Sequence, residues 1–391
     1  MAHAGRKGAD VRSDCWINIE PASELTISIE SKVKALYGRQ IEQQIRNDCQ
    51  TLGVTNAHIE IEDTGALPFV LSARLETAVR RSGYEVVSPV LPVNPKPGTA
   101  SDKDRQRRSR LYLPGNTPHL FLNAGLFESD CIILDLEDSV SPPEKDTARL
   151  LVRNALLTVD FKQSERMVRI NQLPMGLDDL DWVVPHGVQA ILIPKCEFPD
   201  QVRQVGARIA DINPGYPVWL LPIIESARSC FSAFDIAGAS PNVVALTIGL
   251  EDYAADIGVP RTSFGRESFW AQSTIVNAAK AHGLQAIGSV FSDVEDSAGC
   301  TQAAREAKAL GFDGMGCIHP RQIPLVHAAF APDQEEIETA KNIVLAFEEA
   351  QRKGLGVVSL GSKMIDAPVV KRAQTVIRSA IEAGLLNPDW Q

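Results

Sequence analysis

No apolar run in the 391 residues reaches the roughly eighteen that a membrane span needs. The opening stretch "MAHAGRKGADVRSD" lacks the apolar core that directs secretion. There is no C-x-x-C. The seven cysteines (Cys15, Cys49, Cys131, Cys196, Cys230, Cys300 and Cys317) are scattered and odd in number, which argues against a disulfide framework. Reduced thiols and a cytoplasmic setting are expected. The seven histidines form no H-E-x-x-H, so a zinc site of that kind is not expected. G-x-G-x-x-G and G-K-[ST] are both missing, which excludes nucleotide binding of those two kinds. Positive charge is in deficit, with 39 Lys and Arg against 49 Asp and Glu for a net −10, so nucleic acid is not expected as a partner. The one basic run, "KDRQRRSR" (103–110), reads either as a solvated linker or as a contact for the phosphates of a nucleotide-like cofactor.

What is present suffices for a large core, since 44% of the residues are hydrophobic. A stretch rich in Pro, Gly, Ser and charge, Ser88–Arg110, divides the chain. Residues 1–87 read as a small α+β domain, 88–106 as a linker and 107–391 as the larger domain. In the first part "CWINIEP", "ELTISIES" and "AHIEIED" alternate as half-buried strands do. "KALYGRQIEQQIRNDCQTLG" places Leu36, Ile41, Ile45 and Leu52 at helical spacing and ends on Gly53. In the second part apolar runs recur at 110–115, 131–138, 167–171, 190–195, 218–225, 243–252, 286–291 and 314–320. Amphipathic stretches such as "PDQVRQVGARIADI" lie between them. Eight such strands alternating with helices predict a TIM (β/α)8 barrel with a C-terminal extension. A doubly wound open sheet is the alternative, and the count of eight favours closure.

A TIM barrel places its chemistry at the C-terminal ends of the strands. The second run ends in Glu137 and Asp138, and the third carries Arg169 and Asn171. The fourth ends in Lys195, the fifth in Glu225, the sixth in Glu251 and Asp252, and the eighth in His319. Glu225 and Asp252, on adjacent strands, suit a hard cation such as Mg²⁺, which takes one or two carboxylates plus waters and substrate oxygens. Arg169 suits a substrate carboxylate, or else an internal ion pair with Glu137. His319 is expected to be a packed, hydrogen-bonded residue. Asp256, four residues past Asp252, reads as charge at a helix start. The tail "GLGVVSLGSKMIDAPVVKRA" (354–373) is a ninth apolar run. Its Asp366 has two readings, a desolvated carboxylate suited to proton transfer or a helix N-cap ahead of Ala-Pro.

"RRSRLYLPGNTPHL", "ILDLEDSVSPPEKDTAR", "VRINQLP", "ILIPK", "LPIIESARS", "GLEDYAADIGVPRT", "GFDGMGCIHPRQI" and the tail phrase follow one another in order. Together they resemble the citrate lyase β-subunit family of HpcH/HpaI aldolase-type lyases, over nearly all of 107–385. "ESKVKALYGRQIEQQI" and "DTGALPFVLSARLETAVRRS" resemble the citrate lyase γ-subunit, an acyl-carrier protein, so the chain resembles a carrier–lyase fusion. The resemblance implies Mg²⁺-dependent retro-aldol cleavage of a 3-hydroxyacyl thioester. The substrate would be citryl-ACP or citryl-CoA, giving an acetyl thioester and oxaloacetate. A malyl-CoA or citramalyl-CoA lyase, and a non-catalytic carrier or assembly subunit, are the alternatives.

The same resemblance assigns Mg²⁺ to Glu225 and Asp252, carboxylate binding to Arg169 with Asn171 beside it, and orientation of Arg169 to Glu137. It gives proton transfer to Asp366 from a neighbouring subunit, which requires a homo-oligomer, a trimer or hexamer. Arg107, Arg108 and Lys145 match positions near the CoA thioester. A citrate lyase α-type transferase subunit would charge the carrier. The carrier family attaches a phosphoribosyl-dephospho-CoA arm to a serine in a Glu-Ser-Ser/Gly-Asp motif. Here "DVRSD" puts Arg12 at the usual place and leaves Ser13 beside Asp14. Met315 and Gly288 depart from the lyase pattern, where many relatives have Lys and an acidic residue, and are expected to alter substrate contacts.

Overall fold

The computed structural model describes residues 2–91, 99–262, 264–352, 354, 358–360 and 363–390. The chain falls into two compact units, Met1–Ile323 and Pro324–Gln391.

The first unit opens with β1 (Ala2–Gly5), β2 (Cys15–Pro21), β3 (Thr26–Ser31), α1 (Lys34–Leu52), β4 (Ala57–Asp63) and α2 (Pro68–Arg81). The strands form one sheet in the order β1-β2-β4-β3, with only the β3–β4 pair parallel. Alternation buries Ile17, Ile19, Ile59 and Ile61 against Ile41, Ile45, Cys49 and Leu52 of α1. Leu36 is not on that face and is 73% exposed. Five residues before Ile41 it stands about 140° around the helix from the buried stripe. Strand β1 has no sequence signal, because four residues carry too little pattern and its place comes from pairing with β2.

Helix α2 is buried from Phe69 to Val79, because it packs on the small sheet and also on the first barrel helix. Two fully buried ion pairs lie along it. Arg74 Nη2 reaches Asp14 Oδ2 at 2.7 Å, and Arg153 Nη2 reaches Glu76 Oε2 at 2.8 Å.

The barrel strands are β5 (Ser109–Pro114), β6 (Cys131–Asp135), β7 (Glu165–Arg169), β8 (Ala190–Ile193), β9 (Trp219–Ile224), β10 (Ala245–Ile248), β11 (Gln285–Gly288) and β12 (Gly314–Cys317). All pair in parallel in chain order, and β12 closes on β5. Each coincides with one of the eight apolar runs. The intervening helices include α3 (Lys145–Thr158), α4 (Met175–Val183), α5 (Pro199–Ile212), α6 (Ala227–Ala237), α7 (Leu250–Asp256), α8 (Phe269–Ala281), α9 (Ser297–Leu310) and α10 (Gln322–Phe330). All seven cysteines are free and buried. Among the described residues no helix is long and apolar enough to cross a membrane.

His186, in the turn after α4, is 5% exposed and hydrogen-bonds through Nδ1 to the Trp182 carbonyl at 2.7 Å. Burial lowers its imidazole to about 4. The folded protein therefore keeps His186 neutral while the unfolded chain takes up a proton near its ordinary pKa. Stability is lost as the pH falls from about 6.5 toward 4, by up to about 3 kcal/mol. His186→Asn is expected to flatten this acid limb in urea unfolding followed from pH 7 to pH 4. An unchanged limb would assign the acid sensitivity elsewhere.

The second unit contains α11 (Gln334–Arg352), the antiparallel pair β13 (Val358–Leu360) and β14 (Lys363–Ile365), and α12 (Ala367–Glu382). The ninth apolar run is thus a separate hairpin and helix. Its residues 355–357 and 361–362 lie outside the described residues. Helices α11 and α12 pack through Ala340, Val344, Ala373 and Ile377.

Candidate active site

A cavity of about 300 Å³ opens at the C-terminal ends of the barrel strands. Arg110, Tyr112, Asp135, Arg169, Glu225 and Asp252 are among the residues lining it. Strand alternation explains the first two, since Arg110, Tyr112 and Pro114 lie on one face of β5.

Arg169 ends β7. Its Nε and Nη2 donate to the two oxygens of Asp135 at 2.6 and 2.7 Å, and its Nη1 lies 2.9 Å from Glu137 Oε2. Burial would lower the guanidinium, but Asp135 outweighs it and holds it raised. Asp135 shows the converse, with burial raising the carboxyl and Arg169 bringing it below the usual carboxylate range. Glu137 stays raised because its burial outweighs Arg169. Gln172 Nε2 donates to Glu137 at 3.0 Å, and Lys145 Nζ donates to the carbonyls of Leu136 and Glu137 at 2.7 and 2.5 Å. Lys145 therefore fixes the loop that carries Glu137. Sequence reading missed Asp135. The signal was there, since an aspartate ends the apolar "CIILD" run in register with Arg169.

Glu225 follows β9 and is 4% exposed, and burial lifts its carboxyl to about 7. It accepts the Lys195 backbone N–H at 2.6 Å, while the Lys195 ammonium bonds Asp252. Lys195 has φ 47°, a left-handed conformation that costs a non-glycine residue about 1–2 kcal/mol. That strain turns its N–H toward one carboxylate and its side chain toward the other. Gly249 is required beside them, because a Cβ there would lie 2.5 Å from Glu225 Oε2. Gly249→Ala is expected to displace Glu225 and reduce turnover about 100-fold with the circular dichroism spectrum intact. Unreduced turnover would show that the carboxylate need not hold this position.

The acidic cluster after β10 divides its tasks. Asp252 faces the cavity and Glu251 pairs with Arg261. Asp256 ends α7 rather than starting a helix, and its Oδ2 accepts the Ala227 N–H at 2.7 Å, at the N-terminus of α6. It caps a neighbouring helix, which chain order could not reveal.

Other sequence-predicted residues lie elsewhere. Arg107 and Arg108 precede β5 and so sit at the N-terminal end of the barrel, opposite the cavity mouth. Arg107 is fully buried on Glu165 at 2.7 Å, and Arg108 pairs with Asp130 at 2.9 Å. Arg105 donates to the carbonyls of Asp130 and Gln163. These arginines of the basic run are thus held by carboxylates and backbone carbonyls within the fold. Asn171 spends its backbone N–H and its Nδ2 on Asp179 Oδ2, at 2.7 and 2.8 Å. His319 is half-buried and accepts the Arg321 N–H through Nδ1. Gly288 lines the cavity, and a Cβ built there would meet the Gly314 carbonyl, Met315 and Ala307 only at ordinary contact distance. In the second unit Asp366 caps α12 by accepting the Val369 N–H at 3.2 Å.

The donor set fits a magnesium ion. Two hard carboxylates adjoin, and the Lys195 ammonium on Asp252 shows that the pocket favours a cation. Among the described residues no three or more His, Cys, Asp or Glu are grouped to hold a metal. Magnesium takes one or two carboxylates and completes its shell with waters and substrate oxygens.

A closed parallel barrel with paired carboxylates and a buttressed arginine at its C-terminal rim defines a TIM-barrel enzyme of the aldolase type. The chain belongs to the HpcH/HpaI aldolase/citrate lyase family, whose model matches residues 108–320. Residues 2–82 match the acyl-carrier family model described as malonate decarboxylase delta subunit, so the chain joins a carrier-like domain to a lyase domain. It is 40% identical to citrate lyase subunit beta of Leuconostoc mesenteroides subsp. cremoris, over 71% of this chain and 95% of that protein. It is 33% identical to the mitochondrial citramalyl-CoA lyase of Homo sapiens, over 79% and 92%. The structure of protein CitE from Mycobacterium tuberculosis with magnesium, acetoacetate and coenzyme A is similar at TM-score 0.61 and 30% identity, covering 71% of this chain and 99% of that one. A citrate lyase beta subunit from the same organism, complexed with oxaloacetate and magnesium, matches at TM-score 0.52 and 31% identity, over 59% and 100%.

Proposed function

We propose that this chain is a Mg²⁺-dependent carbon–carbon lyase. It cleaves a 3-hydroxyacyl thioester of the citryl type into an acetyl thioester and a 2-oxo acid, oxaloacetate. The observation that carries the reading is the convergence of Glu225, Asp252 and Arg169 on one cavity.

Glu225 and Asp252 hold the magnesium, which when bound supplies Lewis acidity at the oxygen that becomes the oxo group. Arg169, locked by Asp135 and Glu137, presents its remaining N–H groups to the carboxylate beside that oxygen. The substrate hydroxyl gives its proton to solvent water, the bond between its carbon and the carbon next to the thioester breaks, and that bond's electron pair passes to the latter carbon. Asp366 from a second copy of the chain delivers a proton to that carbon, in a trimer or hexamer.

In this reading residues 1–87 are the carrier-like domain, 88–106 the linker and 107–391 the lyase. Ser13 carries the thioester arm, charged by a transferase subunit. Support for Ser13 comes from its neighbour. Asp14 is held by Arg74, which also donates to the Asn116 carbonyl just beyond the C-terminal end of β5. Ser13 itself is half-buried rather than enclosed.

The test is release of 2-oxo acid from citryl-, malyl- and citramalyl-CoA with and without Mg²⁺. Oxaloacetate release from the citryl thioester that EDTA abolishes is expected, and full activity in EDTA would reject the metal assignment. Intact mass of protein from its native host tests Ser13, since an unmodified mass would reject the carrier role.

A further inference from the structure

Among the described residues four arginines are fully buried: Arg74, Arg107, Arg110 and Arg153. Three of them face a carboxylate, on Asp14, Glu165 and Glu76 respectively. Arg110 does not. Its Nη1 donates to Thr247 Oγ1 at 3.0 Å, and its Nε and Nη2 have no hydrogen-bond partner among the described residues. The groups acting on it are the neutral Tyr112, Cys131 and Cys317 and the like charge of Arg107, and burial lowers its guanidinium. An unpaired buried cation costs several kcal/mol, and a buried donor with no acceptor adds to that cost.

The isolation has a direction. Arg110 lines the cavity that holds Glu225 and Arg169. It stands near the start of β5 with Tyr112 and Pro114 above it on the same inward face, so it lies at the cavity floor. Its register neighbour on β12 is Gly316, which brings no side chain into the space. Arg169 at the rim is already neutralised by Asp135 and Glu137. Among the described residues lining this pocket, Arg110 therefore carries positive charge that no ion pair compensates.

We propose that Arg110 is the specificity-determining residue that receives a second carboxylate of the substrate, the one carried by a dicarboxylic 2-oxo acid and missing from its monocarboxylic counterpart. This rests on the lyase reading above. A citryl thioester carries a CH₂–carboxylate where a citramalyl thioester carries a methyl group, and that extra carboxylate enters the floor and takes up the free Nε and Nη2 donors. A site built to hydrogen-bond a charged group discriminates strongly against a ligand that leaves its donors unpaired.

The experiment compares Arg110→Met and Arg110→Lys with the parent on citryl-CoA and citramalyl-CoA. The ratio of kcat/KM for citryl over citramalyl is expected to fall about 100-fold or more in Arg110→Met and to recover in part in Arg110→Lys. The Arg110→Met melting temperature is expected to rise, because an unpaired buried charge has been removed. A ratio within about threefold of the parent, or a fall in melting temperature with both substrates lost in proportion, overturns the proposal. If the parent cleaves no thioester, the lyase reading fails by itself. Calorimetric binding of oxaloacetate and of pyruvate then decides Arg110. Loss of the oxaloacetate preference in Arg110→Met supports it, and equal affinities in parent and variant reject it.

Discussion

Glu225→Gln is expected to slow thioester cleavage by about a thousandfold or more while the fold survives, and Asp252→Asn to do the same. A factor of a thousand corresponds to about 4 kcal/mol of transition-state stabilisation, a reasonable share for a ligand of a catalytic cation. Gln keeps the volume of Glu225, and its amide oxygen still accepts the Lys195 N–H. What it removes is the charge. That charge is costly to keep, since burial pushes the carboxyl to about 7. Removing it is expected to hold or raise the melting temperature, which separates loss of chemistry from loss of fold. The two ligands act as a unit, so the double variant is expected to lose little more than either single one. Turnover at saturating Mg²⁺ beside thermal melting makes the check. Retained activity in both single variants would remove the carboxylate pair from the mechanism.

Arg74→Met carries the largest expected cost in stability, about 3–5 kcal/mol, because it leaves the Asp14 carboxylate buried without a partner. Arg74 is fully buried. It donates through Nε and Nη2 to the two oxygens of Asp14 and through Nη1 to Thr147 Oγ1 on α3. One side chain thus ties the loop before β2 to the first barrel helix. The loss would be a large part of the roughly 5–15 kcal/mol that holds a domain folded. Adding Asp14→Asn is expected to restore part of it, since the second change removes the stranded charge. Urea unfolding of the two single variants and the double variant gives the coupling energy. A loss below about 1 kcal/mol in Arg74→Met would mean that Asp14 reaches water in the folded state. The same test applied to Glu76 and Arg153 would measure the second such tie.

The sequence by itself determined the architecture of the larger domain. Hydrophobic period and spacing are local properties, and a barrel whose strands pair in chain order adds no long-range choice. Each of the eight apolar runs is a strand, and closure follows from their number. Strand ends also placed Arg169, Glu225 and Asp252 on a common rim, because parallel strands deliver their last residues to one face. The tertiary structure decided partnership. It gave Arg169 to Asp135 as well as Glu137, sent Arg107 to Glu165 at the far end of the barrel, turned Asp256 toward the next helix and left Arg110 without a carboxylate. The physical reason is the range of the forces. Ion pairs and hydrogen bonds are settled by distances of a few ångströms and by burial. Residues 34 apart, such as Asp135 and Arg169, meet only after strand register has fixed them.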